Sequence, residues 1–152
     1  VHRAIVLGGD LAIVSVGGND ALRMTPLNRF ERAYDQVVRT LVTSFPAIAL
    51  CGVGDLGAIP RLPALAQGIA RVRGRSMDHA IGRVAHHYGL AKSRAWGPEF
   101  APFEHDPEVW AADLFHASAE GHQMYADAAI PLVEEALTRA RSALSGSDES
   151  ST

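Results

Sequence analysis

This chain has one cysteine, no long apolar run and no surplus of basic residues, and each shortage closes off a class of answer. The lone Cys51 cannot form an internal disulfide and fits a reducing compartment. No stretch approaches the ~20 apolar residues that span a bilayer. With 14 Lys and Arg against 17 Asp and Glu, the net charge is −3, which gives no electrostatic case for a nucleic-acid partner. The cluster Arg71-Val72-Arg73-Gly74-Arg75 concentrates positive charge, but five residues of this kind read as a solvated turn. A polar lead-in is missing too. The chain enters a strand-like segment, Ala4-Ile5-Val6-Leu7, almost at once, so it is expected to begin inside a domain, with any export signal upstream.

What is present suits one domain. The 152 residues are enough to bury a real core and too few for a second. The expected domain covers residues 1–141, and the polar stretch 142–152 reads as a disordered tail. Leu11-Ala12-Ile13-Val14-Ser15-Val16 is an apolar, β-branched run bounded by glycines, the pattern of a strand covered on both faces. Thr25-Pro26 offers an N-cap with Pro at the first helical position. Leu27, Phe30, Tyr34, Val37, Val38, Leu41 and Val42 then recur at helical spacing. Ala47-Ile48-Ala49-Leu50-Cys51-Gly52-Val53 is a second buried strand, and residues 54–63 a loop. Ser76 is expected to cap a helix stopped at Gly89, and residues 91–96 form a weaker third strand. A proline-rich loop over residues 97–107 leads to a last helix capped by Ser118, with Pro131 expected to kink it. Strands alternating with helices predict a parallel sheet with helices on both faces, and functional residues at the carboxyl ends of its strands.

Two motifs carry chemistry. Gly17-Gly18-Asn19-Asp20 ends the first strand. It reads either as an ordinary polar turn or as a frame that aims the Asn19 amide at an oxygen becoming negative in acyl transfer. Asp113-Leu114-Phe115-His116 places a carboxylate three residues before a histidine. It is either a local surface pair or a dyad in which Asp113 fixes the tautomer of His116 and stabilises its imidazolium. In this order, on an α/β chain, the two together point to acyl-transfer chemistry.

On these residues the chain resembles the GDSL-like, or SGNH, hydrolases, serine esterases and lipases built on a flavodoxin-like sheet. Gly17, Gly18, Asn19 and Asp20 match that family's third block, Gly-x-Asn-Asp. Asp113 and His116 match its fifth, Asp-x-x-His, with Ala117 where proline is usual and Ser118 after it. The likeness runs from about residue 10 to residue 137. It implies a three-layer flavodoxin-like α/β fold, Asn19 as oxyanion-hole donor, His116 as general base then acid, and Asp113 as its orienter. It also implies a small-molecule ester as substrate and no cofactor. The family's nucleophile block, Gly-Asp-Ser, has no counterpart: Gly8-Gly9-Asp10-Leu11 lacks the serine, Ser15 reads as mid-strand, and Ser118 caps a helix. The chain is therefore expected to be the carboxyl portion of such an enzyme, inactive alone, with its first two strands missing. An apolar edge on the strand ending at Val16 would then be open to self-association.

Three other readings compete. Gly52-Val53-Gly54-Asp55-Leu56-Gly57 matches the dinucleotide fingerprint G-x-G-x-x-G after a strand, but Pro60 and Pro63 interrupt the helix it requires. His105, Asp106, Asp113, His116 and His122 crowd one region without the tight spacing of a zinc site. A non-catalytic fragment or pseudoenzyme would keep the dyad and Asn19 as a binding module.

Overall fold

Short β-branched and alanine-rich segments bounded by Gly and Pro form the strands of this chain, and the segments joining them are long enough for helical crossovers. The computed structural model describes residues 1–149. Strands β1 (Leu11–Val14), β2 (Ala47–Leu50) and β3 (Ala91–Lys92) form a parallel sheet in the order β1-β2-β3. Leu11 pairs with Ala47 and Ala49 with Ala91. The ladder runs on past the strands: Cys51 N–H donates to the Val14 carbonyl and Ser93 N–H to that of Leu50.

Side-chain alternation along β2 sorts the core into two layers. Ile48 and Leu50 face helices α3 (Leu27–Val42) and α4 (Ala64–Tyr88), meeting Phe30, Tyr34, Val38 and Leu41 of the first and Met77, Ala80, Ile81 and Val84 of the second. Ala49 faces the other way, where α6 (Ala119–Glu149) lays Leu132 and Ala136 across it and Ala91. Helices thus cover both faces, as the alternation of elements predicts. No helix among the described residues is long and apolar enough to cross a membrane.

Several local expectations are corrected. Ala4-Ile5-Val6-Leu7 is not a strand but part of helix α1 (His2–Leu7), which buries no residue and leaves Val6 and Leu7 largely exposed. Pro26 sits at the N-cap of α3, one position earlier than expected. The long α4 begins at Ala64, so Ser76 lies inside it and its hydroxyl bonds back to the Val72 carbonyl. The arginine cluster, expected to be a turn, lies inside helix α4, its side chains leaving on different sides. Arg71 pairs with Asp55 at 2.6 Å, Arg73 donates to the Thr25 carbonyl, and the Arg75 guanidinium lies 4.7 Å from the Trp96 ring centre. Residues 97–107 contain two short helical turns, Pro98–Phe100 and α5 (Pro102–His105), and the third strand stops at Lys92. Helix α6 continues through Pro131 and on to Glu149, so residues 142–149, expected as disordered tail, are helical. Residues 150–152 lie outside the described residues.

Candidate active site

At the end of β1 the backbone must turn sharply under Phe30 and Val53. Only a residue without a β-carbon fits there: Gly17 has φ 116°, and a β-carbon on it would lie 2.9 Å from Val53 Cγ2 and 3.2 Å from Phe30 Cζ. Gly17 is the N-cap of a five-residue helix, α2 (Gly18–Leu22), so Asn19 stands on a helical turn and not on the open polar turn the composition suggests. Its side chain is exposed, whereas Ala21 two residues on is buried. Gly18 has an ordinary backbone, and a β-carbon on it would meet only Leu56 Cδ2, at 4.0 Å, outside its own helix. Ser15, read from sequence as mid-strand, stands beyond the last residue of β1.

The second motif is held by a closed loop. Trp110 and Ala117 form an antiparallel bridge; Ala111 N–H donates to the His116 carbonyl, and Ser118 N–H to that of Val109. Leu114 takes φ 55°, a left-handed conformation uncommon for a branched residue, and this reverses the chain between Asp113 and His116. The reversal brings Phe115 N–H and His116 N–H each within 3.0 Å of Asp113 Oδ1, while Asp113 Oδ2 lies 2.6 Å from His116 Nδ1. The His116 backbone N–H, then its imidazole, then the Phe115 N–H hold the Asp113 carboxyl well below the usual carboxylate range. An ionised Asp113 at Nδ1 places the ring proton there and leaves Nε2 as the basic nitrogen. Ser118 caps α6 as expected, its Oγ accepting from Gly121 N–H at 3.2 Å. A β-carbon on Gly121 would press on the Val109 carbonyl and come 3.2 Å from Phe103 Cζ, so a glycine lets α6 dock under the loop.

Asn19 and His116 line one open cleft of ≈ 660 Å³ at the carboxyl ends of the strands. Gly17, Gly18 and Asp20 line it too, so the structure brings both motifs together, with Asp113 bonded to His116 from behind. Much of the wall is apolar, including Val16, Leu22, Val53, Leu56, Phe100 and Phe115. Ser15, Cys51, Ser93 and His122 also line the cleft; the sequence reads Ser15 as mid-strand and His122 as one of a candidate metal cluster, and marks neither Cys51 nor Ser93 for this site. Burial pushes the Cys51 thiol up, against a hydrogen bond with Ser15, and Ser93 Oγ accepts from Gly52 N–H at 2.8 Å. Among the described residues, the one side-chain hydrogen bond of His116 goes to Asp113; no serine hydroxyl bonds to it.

The glycines of the fingerprint-like run serve packing. Gly52 abuts Asp78 and Ala95, and a β-carbon on Gly57 would lie 2.6 Å from the Gln67 carbonyl. Gly57 sits in a three-residue 3₁₀ turn, Leu56–Ala58, and the next helix, α4, starts only at Ala64, so this glycine does not open it. His105 and Asp106 line a different cleft from His116. Among the described residues no group of three or more His, Cys, Asp and Glu side chains converges as a metal site would.

A parallel sheet between helical layers, with these residues at its carboxyl edge, places the molecule among α/β hydrolase-like folds. It is similar in structure to LAE5, an alpha/beta hydrolase enzyme from the metagenome of Lake Arreo, Spain, with a TM-score of 0.67 at 19% sequence identity. The match covers 88% of this chain and 63% of the LAE5 chain, so this chain spans less than two thirds of that protein's length. No curated protein matches it. The model of the GDSL-like lipase/acylhydrolase family matches residues 2–124, and the chain belongs to that family.

Proposed function

We propose that this chain supplies the general base and one oxyanion donor of a carboxylic-ester hydrolase that works through an acyl-enzyme. The observation that carries the reading is the meeting of Asn19 and His116 in one cleft, with Asp113 bonded to the far nitrogen of the imidazole. In this scheme Nε2 of His116 takes the proton of a serine hydroxyl as the serine attacks the ester carbonyl. It then returns that proton to the departing alcohol, and water repeats the cycle on the acyl-enzyme. Asp113 stabilises the imidazolium at each stage, and the Asn19 amide donates to the carbonyl oxygen while it carries negative charge. Ser15 and Ser93 line the cleft but neither is bonded to His116, and the 152 residues contain no Gly-Asp-Ser; the resemblance to the family supports a serine of such a block as the attacking group.

The test is hydrolysis of p-nitrophenyl acetate by this chain and by the chain extended with a segment bearing Gly-Asp-Ser. The expected result is no turnover above His116→Ala for the chain alone, and turnover in the extended protein that His116→Ala lowers by several orders of magnitude. Turnover by the extended protein that ignores His116 refutes the assignment. Turnover by the chain alone that disappears with Ser15→Ala would move the nucleophile to Ser15.

A further inference from the structure

We propose that a buried ion pair behind the cleft, Asp78 with Lys92, acts together with Trp96 and Ser93 as a positioning device for Asn19. The proposal rests on the oxyanion role given to Asn19 above, and extends it to four residues on α4 and in the β3 region that no motif contains.

The chain of contacts starts at a charge that has little solvent to stabilise it. Asp78 is 8% exposed, in the middle of α4, and among the described residues it is the buried charged side chain. Its Oδ1 receives Lys92 Nζ at 2.7 Å and the Val53 N–H at 3.2 Å. Lys92 Nζ also donates to the Ser93 carbonyl at 3.0 Å, and Ser93 Oγ accepts from Gly52 N–H at 2.8 Å. On the other side of the same peptide segment, Trp96 Nε1 donates to the Val53 carbonyl at 2.9 Å, with the Arg75 guanidinium stacked on the indole. Three side chains from two elements therefore hold two consecutive residues, Gly52 and Val53, at the carboxyl end of β2.

That segment has a job beyond closing a strand. A β-carbon on Gly17 would meet the Val53 side chain first, at 2.9 Å from Cγ2, a distance that admits none. Gly17 is the N-cap of α2, and Asn19 is the second residue of that helix. Val53 therefore acts as a stop against which the entry to α2 rests, and the network sets where the stop stands. A buried ion pair is weak evidence for stability, because desolvation offsets most of its attraction. Geometric specification is the better account of a charge held against the backbone of a cleft wall. Asp78, Lys92 and Trp96 are positioning residues in this account; none needs to touch substrate.

The experiment is ¹⁵N–¹H correlation spectroscopy on the intact chain, comparing Trp96→Phe and Asp78→Asn with the unaltered protein. Trp96→Phe keeps an aromatic ring beneath Arg75 and deletes one donor; Asp78→Asn keeps an acceptor and deletes the charge. Arg83→Met, which breaks the pair with Glu31 elsewhere on α4, is the control. The expected result is a shift larger than the line width at the Gly52, Val53, Gly17 and Asn19 amides and at the Asn19 side-chain NH₂. His116 and Leu114 should stay in place, and Arg83→Met should move none of these signals. A purely structural role would lower the melting temperature and leave Gly17 and Asn19 unmoved, which overturns the proposal; so does a shift spread equally over the dyad loop. If Asp78→Asn does not fold, Trp96→Phe alone decides. The readout needs no turnover, so failure of the esterase reading and failure of this coupling are separately visible.

Discussion

Gly17 and Gly18 are adjacent, share one motif and should respond to alanine with opposite signs. At Gly17 the backbone φ of 116° is one that L-residues rarely adopt, and placing alanine there costs about 1–2 kcal/mol in backbone strain. The new methyl would also stand 2.9 Å from Val53 Cγ2 and 3.2 Å from Phe30 Cζ, and Phe30 is buried. Forcing a methyl into a packed site costs about 1–3 kcal/mol more. The sum, about 2–5 kcal/mol, is a large part of the roughly 5–15 kcal/mol that holds a domain folded. Gly18 is the first residue of α2, has an ordinary φ, and a β-carbon on it would meet only Leu56 Cδ2, at 4.0 Å, outside its own helix. Alanine there restricts the unfolded chain without strain and stabilises by about 0.4–1 kcal/mol. Urea unfolding followed by circular dichroism reads both. Gly17→Ala should lower the midpoint by about 1–2 M at unchanged slope, and Gly18→Ala should raise it slightly. Equal effects of the two substitutions would refute the reasoning, because the backbone angle and the contact distances would then not govern this turn.

Further outcomes follow from the other half of the cleft and from the sheet. Gly121→Ala should destabilise by about 1–3 kcal/mol, because its methyl meets the Val109 carbonyl and Phe103; thermal unfolding checks it. In the extended protein, Asp113→Asn should cut turnover by about 10⁴-fold, since the wrong tautomer of His116 is then favoured. The Asp113 carboxyl is held below the usual range, so its contribution is present above the unfolded-state value and is lost only as pH falls through the lower folded value. The Phe115 and His116 amide signals should therefore hold their positions on acidification through the ordinary carboxylate range, and a step within that range would contradict the hydrogen bonding described. Finally, among the described residues β1 has a partner strand on one side, and Ile13 is 54% exposed. Sedimentation velocity should show concentration-dependent self-association that Ile13→Lys weakens.

What the sequence made legible were the features with short-range signatures. β1 and β2 showed as glycine-bounded apolar runs, and α3 as Phe30, Tyr34, Val38 and Leu41 at helical spacing, all four buried. The dyad was legible because both partners lie within one turn of chain. Misreadings arose where tertiary contacts override composition. The start of α4 was hidden by Gly74 and its flanking arginines. Gly74 is there because a β-carbon would lie 2.8 Å from the Gly54 carbonyl, and the arginines find partners on Asp55, Thr25 and Trp96. Residues 4–7 have the composition of a strand, but among the described residues β1 pairs with β2 alone and the segment is helical. Nothing local marks Asp78, whose partners Lys92 and Val53 are 14 and 25 residues away.

The closed loop around the dyad differs in kind from the wall that carries Asn19. Residues 109–118 close upon themselves through their own backbone bonds, so the distance between Asp113 and His116 depends on few contacts outside the loop. Contacts so near in sequence form early and cheaply in folding. The Asn19 wall is the opposite: it is defined by Phe30 and Val53, and through Val53 by α4 and the segment after β3. Sequence drift in the core should then pass the Asp113–His116 pair by and accumulate at the Asn19 wall. In variants of this chain with a loosened core, the hydrogen bonds between Asp113 and His116 should be the last part of the cleft to give way.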